Sequence, residues 1–245
     1  MPYLAALLAG YVIGTVPFAW LFVRWRRGFD LYAAGSTNVG ATNAYETTGS
    51  RRIGAGVLVL DLLKGVLAVL AGWGVFAALG VAAADPEGVL GPRYWPGALA
   101  LLGALAGHNY NALLSLRARR LAGGKGFATA AGGFGLLMPW VVVAWLVLLY
   151  VGIRAFEWRR GIRDLIPGNV VATSFVPLVA WALYGWPGAL VTAAFALLTL
   201  PKHARQLGAL MRAEHGVHPQ EGRRAHALGR SRVERVNPAR GSKNR

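Results

Sequence analysis

Residues 127–153 read FATAAGGFGLLMPWVVVAWLVLLYVGI. No acidic or basic residue interrupts this run, so it belongs in a hydrocarbon environment. Its one break is Pro139, which lacks an amide donor and cannot sit inside a helix without kinking it. Either the run is one long span, or it is two short spans that turn at Met138–Pro139. The choice fixes the side of the membrane on which everything after it lies.

The flanking apolar runs supply the context. They predict helical spans at about 3–23, 53–80, 96–114, 168–184 and 186–200. Dividing the central run adds spans at about 127–138 and 140–154, for seven in all. Three of them (127–138, 140–154 and 186–200) are shorter than the ~20 residues a helix needs to cross hydrocarbon alone. Such helices are tolerated inside a bundle or beside a cavity. The N-terminal run, MPYLAALLAGYVIGTVPFAWLFV, has no basic residues before it and reads as a retained span.

Charge decides between the two counts. With the amino terminus outside and seven spans, Arg24, Arg26, Arg27, Arg51 and Arg52 fall inside. So do Arg117, Arg119, Arg120 and Lys125, then Arg154, Arg159, Arg160 and Arg163, and everything from Lys202 onward. Only Arg93 falls outside, and Lys64 lies within a span. This is the positive-inside pattern. A single helix over 127–153 would put the 154–163 arginines outside. The expected fold is therefore all-α and polytopic, with about seven transmembrane helices, N-out and C-in. The domain plan is a membrane domain over 1–214 and a tail over 215–245. The tail is polar, basic and rich in Gly and Pro, and reads as disordered.

The composition agrees. Of 245 residues, 55% are hydrophobic and only 15% are charged, against about a quarter charged in soluble domains. Lys and Arg number 26 against 10 Asp and Glu. That basic excess follows topology and suggests attraction to anionic membrane lipids, chiefly through the tail. Nucleic acid is not an expected partner, because no aromatic or motif support accompanies the charge. The absence of cysteine excludes disulfides, thiolate catalysis and cysteine metal sites.

In this topology the unusual polar stretches share one face of the membrane. They are GSTNVGATN (35–43), AGGKGFAT (122–129), PGNVVATS (167–174) and PKHARQ (201–206). Gly123, Gly124 and Gly126 let backbone amides approach an oxyanion, Lys125 adds a charge, and the segment opens a helix whose first amides are unsatisfied. That is phosphate-site chemistry without the Walker spacing. Ser36, Thr37, Asn38, Thr42 and Asn43 supply neutral donors, more than helix capping needs. Asp61 and Lys64 stand three apart within a span and can pair. Pinning the bundle suits them better than catalysis. His108, in GHNYN (107–111), reads as a helix-end residue. No HxxxxD, HExxH, dinucleotide or metal motif is present, and no metal or cofactor is expected.

The order GTVPFAWL, GSTNVGATN, DLLKG, GHNYN…GGKGFAT and a final histidine resembles the bacterial acyl-phosphate:glycerol-3-phosphate acyltransferases of the PlsY type, over roughly residues 3–214. The resemblance implies a seven-span membrane enzyme of phospholipid synthesis in the bacterial cytoplasmic membrane, with its site on the cytoplasmic face. It implies transfer of an acyl chain from acyl phosphate to glycerol 3-phosphate, giving lysophosphatidic acid and phosphate without a cofactor. By this resemblance Ser36 and His203 hold the acceptor, Lys125 and the neighbouring amides hold phosphate, and Asn38, Thr42 and Asn43 shape the pocket. Two acceptor contacts differ. The family's arginine is Glu46 here, and its last asparagine is Gln206. Arg51 or Arg52 could reach back in place of the arginine. A different hydroxyl acceptor, lipid binding without turnover, and a transporter are the competing expectations.

Overall fold

The computed structural model describes residues 1–36, 38–81, 90, 91, 93–119, 121–161 and 163–213; at Ala33, Arg117, Ala118, Ala204–Gln206 and Ala209–Ala213 it describes the backbone alone. Among these residues the chain is helical and has no strands, as the apolar runs predict. Thr37, Arg120 and the tail from residue 214 lie outside the described residues.

The first apolar run forms α1 (Pro2–Thr15) and α2 (Phe18–Arg27). Pro17 divides them by forcing Val16 into an extended conformation (ψ 113°). The sequence reading treats this stretch as one unbroken span. Three arginines crowd the last turn of α2, where the helix dipole favours them, and Gly28 closes it at φ 73°. A 3₁₀ turn at Leu31–Ala33 leads to the short α3 (Ala41–Thr48). Then α4 (Arg51–Ala78) starts on Ser50, whose hydroxyl accepts from the Ile53 amide at 3.4 Å.

α5 (Tyr94–Asn109) ends five residues earlier than the expected boundary at 114. The reason is Asn111, whose carboxamide oxygen caps a separate helix, α6 (Ala112–Ala118), at the Leu114 amide (3.1 Å). α7 (Phe127–Leu137) and α8 (Pro139–Arg160) divide at Met138–Pro139, as the proline requires. α8 is longer than expected and reaches Arg160. α9 (Leu165–Ala213) is continuous except at Gly185, whose φ 68° and ψ −164° break it between the two apolar runs. The two breaks meet: the Trp140 amide, orphaned at the start of α8, donates to the Tyr184 hydroxyl at 3.3 Å. Residues Met1–His203 form one compact unit, and Ala204–Ala213 belong to a second.

Among the described residues, four helical stretches are long and apolar enough to cross a membrane: Pro2–Arg27, Arg51–Ala78, Pro139–Arg160 and Leu165–His203. α8 buries only 11% of its apolar window within the molecule, so its Val143, Leu146, Val147 and Tyr150 face outward. A soluble protein would not expose such a surface; lipid accepts it.

Glycine sets the packing distances. A Cβ at Gly10 or Gly14 would overlap the backbone of Ala100 or Ala104, which joins α1 to α5; one at Gly65 would overlap Thr129 O, which joins α4 to α7. Small residues let helices approach closely where no hydrophobic effect drives them together. Beside these crossings Leu101, Leu105, Phe134, Met138 and Phe195 fill the core.

Candidate functional site

The glycine loop is the centre of the site. Its start runs beside the end of α5: the Gly124 amide donates to His108 O, and the Asn111 amide donates to Ala122 O, both at 2.9 Å. The Ala122 amide bonds Ser115 Oγ at 3.0 Å. Gly126 then starts α7 at φ 77°, in the left-handed region. The side chain of Asn109 spans to α9, donating to Leu198 O (3.1 Å) and Thr199 Oγ1 (3.4 Å). Thr199 in turn donates to Lys125 O (3.5 Å). The loop is thus held by α5, α6 and α9 together.

Lys125 is half-buried. Burial pushes its ammonium below the usual lysine range, and the carboxylates of Asp164 and then Glu46 oppose that shift. Asp164 comes from the turn before α9, where it accepts from the Ile166 amide at 2.7 Å. Glu46 is exposed on α3. Three separate segments therefore bring charge to one place.

His203 is buried, with 1% of its surface exposed. Its Nδ1 lies 3.4 Å from Thr199 O. A carbonyl only accepts, so this nitrogen carries the proton and Nε2 presents a bare lone pair. Nε2 is buried without a hydrogen-bond partner among the described residues. The ring packs on Phe127, the first residue of α7, with centroids 5.2 Å apart, and Lys125 is near enough for its charge to act there. Buried nitrogens are usually satisfied. An acceptor left open beside a cationic loop is what a hydroxyl-bearing ligand requires.

Asn43 stands inside its own loop. It is 1% exposed and its amide is spent on the chain. Oδ1 accepts from the Ser36 amide (2.9 Å), and Nδ2 donates to Asn38 O (2.8 Å) and Ala34 O (3.2 Å). It shapes the 31–38 loop from within. Gly35, at φ 60°, packs against that same amide. Ser36 and Thr42 are exposed, and Asn38 is half-buried. Val39, Ala44, Ile53, Leu114 and Ala122 share one apolar cluster, which brings the 31–44 segment against α6 and the glycine loop. Arg51 and Arg52 are exposed on the first turn of α4. Gln206 lies on α9, and its side chain is outside the described ones.

Asp61 and Lys64 pair at 3.2 Å as expected. They are joined by His108, which stands in the last turn of α5 as expected and is buried against them. Sequence reasoning missed Asn109 and Thr199 altogether. Both are fully buried polar residues in apolar helices, and that pattern is the one signal that could have found them.

Beneath Phe127 lies a small apolar cleft with about 20 Å³ of open space, lined by Phe127, Ala130, Ala131, Val142, Trp145 and Phe195. Among the described residues no cluster of His, Asp or Glu could hold a metal ion.

Comparison with known proteins places this arrangement. The profile described as glycerol-3-phosphate acyltransferase matches residues 4–213. Glycerol-3-phosphate acyltransferase 2 of Moorella thermoacetica is 36% identical over 191 residues, covering 78% of this chain and 84% of its own. The glycerol-3-phosphate acyltransferase of Myxococcus xanthus is 36% identical over 176 residues, covering 69% and 78%. In fold, the chain is similar to the crystal structure of PlsY (YgiH), an integral membrane glycerol 3-phosphate acyltransferase, in its glycerol 3-phosphate form. That likeness has a TM-score of 0.66 at 24% identity and covers 87% of this chain and 94% of that one. With its motifs in order and its helices arranged alike, this chain belongs to the glycerol-3-phosphate acyltransferase family of the PlsY type.

Proposed function

We propose that the protein transfers an acyl chain from acyl phosphate to the first hydroxyl of glycerol 3-phosphate, releasing lysophosphatidic acid and inorganic phosphate. The observation that carries this reading is the open Nε2 of buried His203 beside Lys125 and the glycine loop. An acceptor for a hydroxyl hydrogen and a site for a phosphate stand together, with an apolar cleft adjoining both through Phe127.

The roles follow from the chemistry. Lys125 and the amides around Gly126 hold the donor's phosphate at the start of α7. The acyl chain runs from the apolar cleft at Phe127 toward the lipid. Ser36, exposed on its loop, and His203 hold the acceptor, with Thr42 and Asn38 at the rim. The acceptor oxygen bonds to the acyl carbon as the carbon–oxygen bond to phosphate breaks. Phosphate leaves as a stabilised anion, and the hydroxyl proton passes to a phosphate oxygen of the substrate. No strong general acid is needed.

Glu46 bears on the acceptor. A carboxylate repels a phosphate and lacks the paired donors of a guanidinium. Here it stands in the field of Lys125, which limits that repulsion, and Arg51 and Arg52 can supply the missing positive charge. The same residue favours a second reading, in which a neutral or cationic hydroxyl compound is the acceptor. Rates with glycerol 3-phosphate and with such acceptors, in native protein and Glu46→Arg, separate the two. The first predicts turnover with glycerol 3-phosphate in the native protein; turnover only with another acceptor would replace it. A transporter would place its polar groups at mid-membrane, whereas these gather at helix ends and loops.

The same reading sets seven spans in the bacterial cytoplasmic membrane, amino terminus out, with the site facing the cytoplasm. Residues 215–245 then lie against anionic headgroups.

A further inference from the structure

His108 is held from two sides. Its Nδ1 lies 3.2 Å from Lys64 Nζ, which itself lies 3.2 Å from Asp61 Oδ1. All three are buried: His108 is 8% exposed, Asp61 3% and Lys64 1%. The Phe18 ring covers the ammonium at 5.1 Å. His108 Nδ1 also lies 3.7 Å from Asp61 Oδ1; with Lys64 charged, its ammonium has donors only, so Nδ1 accepts at the shorter contact and the ring carries its proton on Nε2. That edge of the ring faces the glycine loop: a Cβ at Gly124 would fall on His108 Nε2. The Gly124 amide meanwhile donates to the carbonyl of His108. One residue therefore grips the loop by its main chain and wedges it with its ring.

Stability alone does not account for this cluster. A buried ion pair costs desolvation that its attraction only partly returns, and close glycine crossings already pack α4 against α7. A narrow cleft with about 10 Å³ of open space lies along the joint, lined in part by Phe18, Val39, Lys64, His108, Gly123 and Gly124.

We propose that Asp61, Lys64 and His108 form a positioning unit for the Gly123–Gly126 loop, in which Lys64 fixes the tautomer and orientation of His108 and His108 fixes the loop backbone. The proposal rests on the acyltransferase reading of that loop. None of the three touches substrate; they act through Gly124. Loop amides displaced by a fraction of an ångström would bind phosphate less well, since small misplacements carry large costs.

The test uses the full chain in lipid nanodiscs and the double variant Asp61→Asn/Lys64→Met, which removes both charges at similar volume. Three quantities are read: amide hydrogen exchange over residues 122–127, the ¹⁵N signals of His108, and KM and kcat with palmitoyl phosphate. The native protein is expected to show His108 protonated at Nε2 and bare at Nδ1. The double variant is expected to lose that single state, to exchange its loop amides about tenfold faster with α8 unchanged, and to raise KM about tenfold with kcat little altered. Should the double variant not fold, His108→Gln and His108→Ala decide. Gln can accept from Lys64 and still donate toward the loop, so it is expected to retain more loop protection and a lower KM than Ala. Native loop exchange and native KM in a folded double variant, or equal losses in Gln and Ala, would overturn the proposal. A native protein that turns over no palmitoyl phosphate would sink the acyltransferase reading instead, and the exchange and ¹⁵N measurements would still decide the positioning.

Discussion

The Thr199 hydroxyl donates to the main-chain carbonyl of Lys125 across 3.5 Å, so the last apolar helix is tied to the loop that carries the site's cation. Thr199 also accepts from Asn109, which makes it a joint between α5, α9 and the loop. Thr199→Val keeps the shape and removes both bonds. A hydrogen bond of this kind contributes about 0.5–1.5 kcal/mol. The expected outcome is a folded protein with KM for acyl phosphate raised about fivefold or more, through misplacement of the loop. Initial rates beside a thermal melt in lipid check it.

His203 presents Nε2 to the site and spends Nδ1 on its own helix. His203→Ala is expected to lower kcat/KM for the acceptor by about tenfold, with donor binding retained. Steady-state kinetics with the acceptor varied, and binding of a non-hydrolysable acyl phosphonate, test the two halves separately.

The pH dependence follows from Lys125. Burial lowers its pKa, and Asp164, more than Glu46, holds it up. A phosphate bound by the ammonium is released as pH rises through that pKa, so activity falls on the alkaline side. Asp164→Asn removes the larger opposing influence. It moves the alkaline limb of the kcat/KM profile to lower pH, and Glu46→Gln moves it the same way by less. A limb that stays in place in both variants would separate Lys125 from phosphate binding.

Packing predicts a contrast between two glycines of α4. A side chain at Gly65 meets the Thr129 carbonyl, whereas nothing lies within 4 Å of a Cβ at Gly74. Gly65→Val is expected to destabilise by at least the ~1–3 kcal/mol of an overpacked core. Gly74→Ala is expected to be neutral, or stabilising by about 0.5–1 kcal/mol. Melting temperatures of both variants in the same lipid provide the comparison.

The helical plan was legible because its signals are local. Pro139 divides α7 from α8 by its own chemistry, and the break at Gly185 falls within the YGWPG stretch between two apolar runs. The break at Pro17 was equally local but sat inside a run greasy enough to pass as continuous. The glycine loop was legible because GGKG carries its chemistry in consecutive residues. Asn43 was not, since its amide serves carbonyls that reach it only once the 31–38 loop has closed. His108, Asn109 and Thr199 act across 44, 89 and 74 residues of sequence, and no spacing rule reports such contacts.

The most direct test of the central claim is phosphate release from palmitoyl phosphate by the purified protein in lipid, with and without glycerol 3-phosphate. The account predicts release that depends on the acceptor, with one lysophosphatidic acid formed per phosphate. Release indifferent to the acceptor, or none while palmitoyl phosphate is bound, would contradict it.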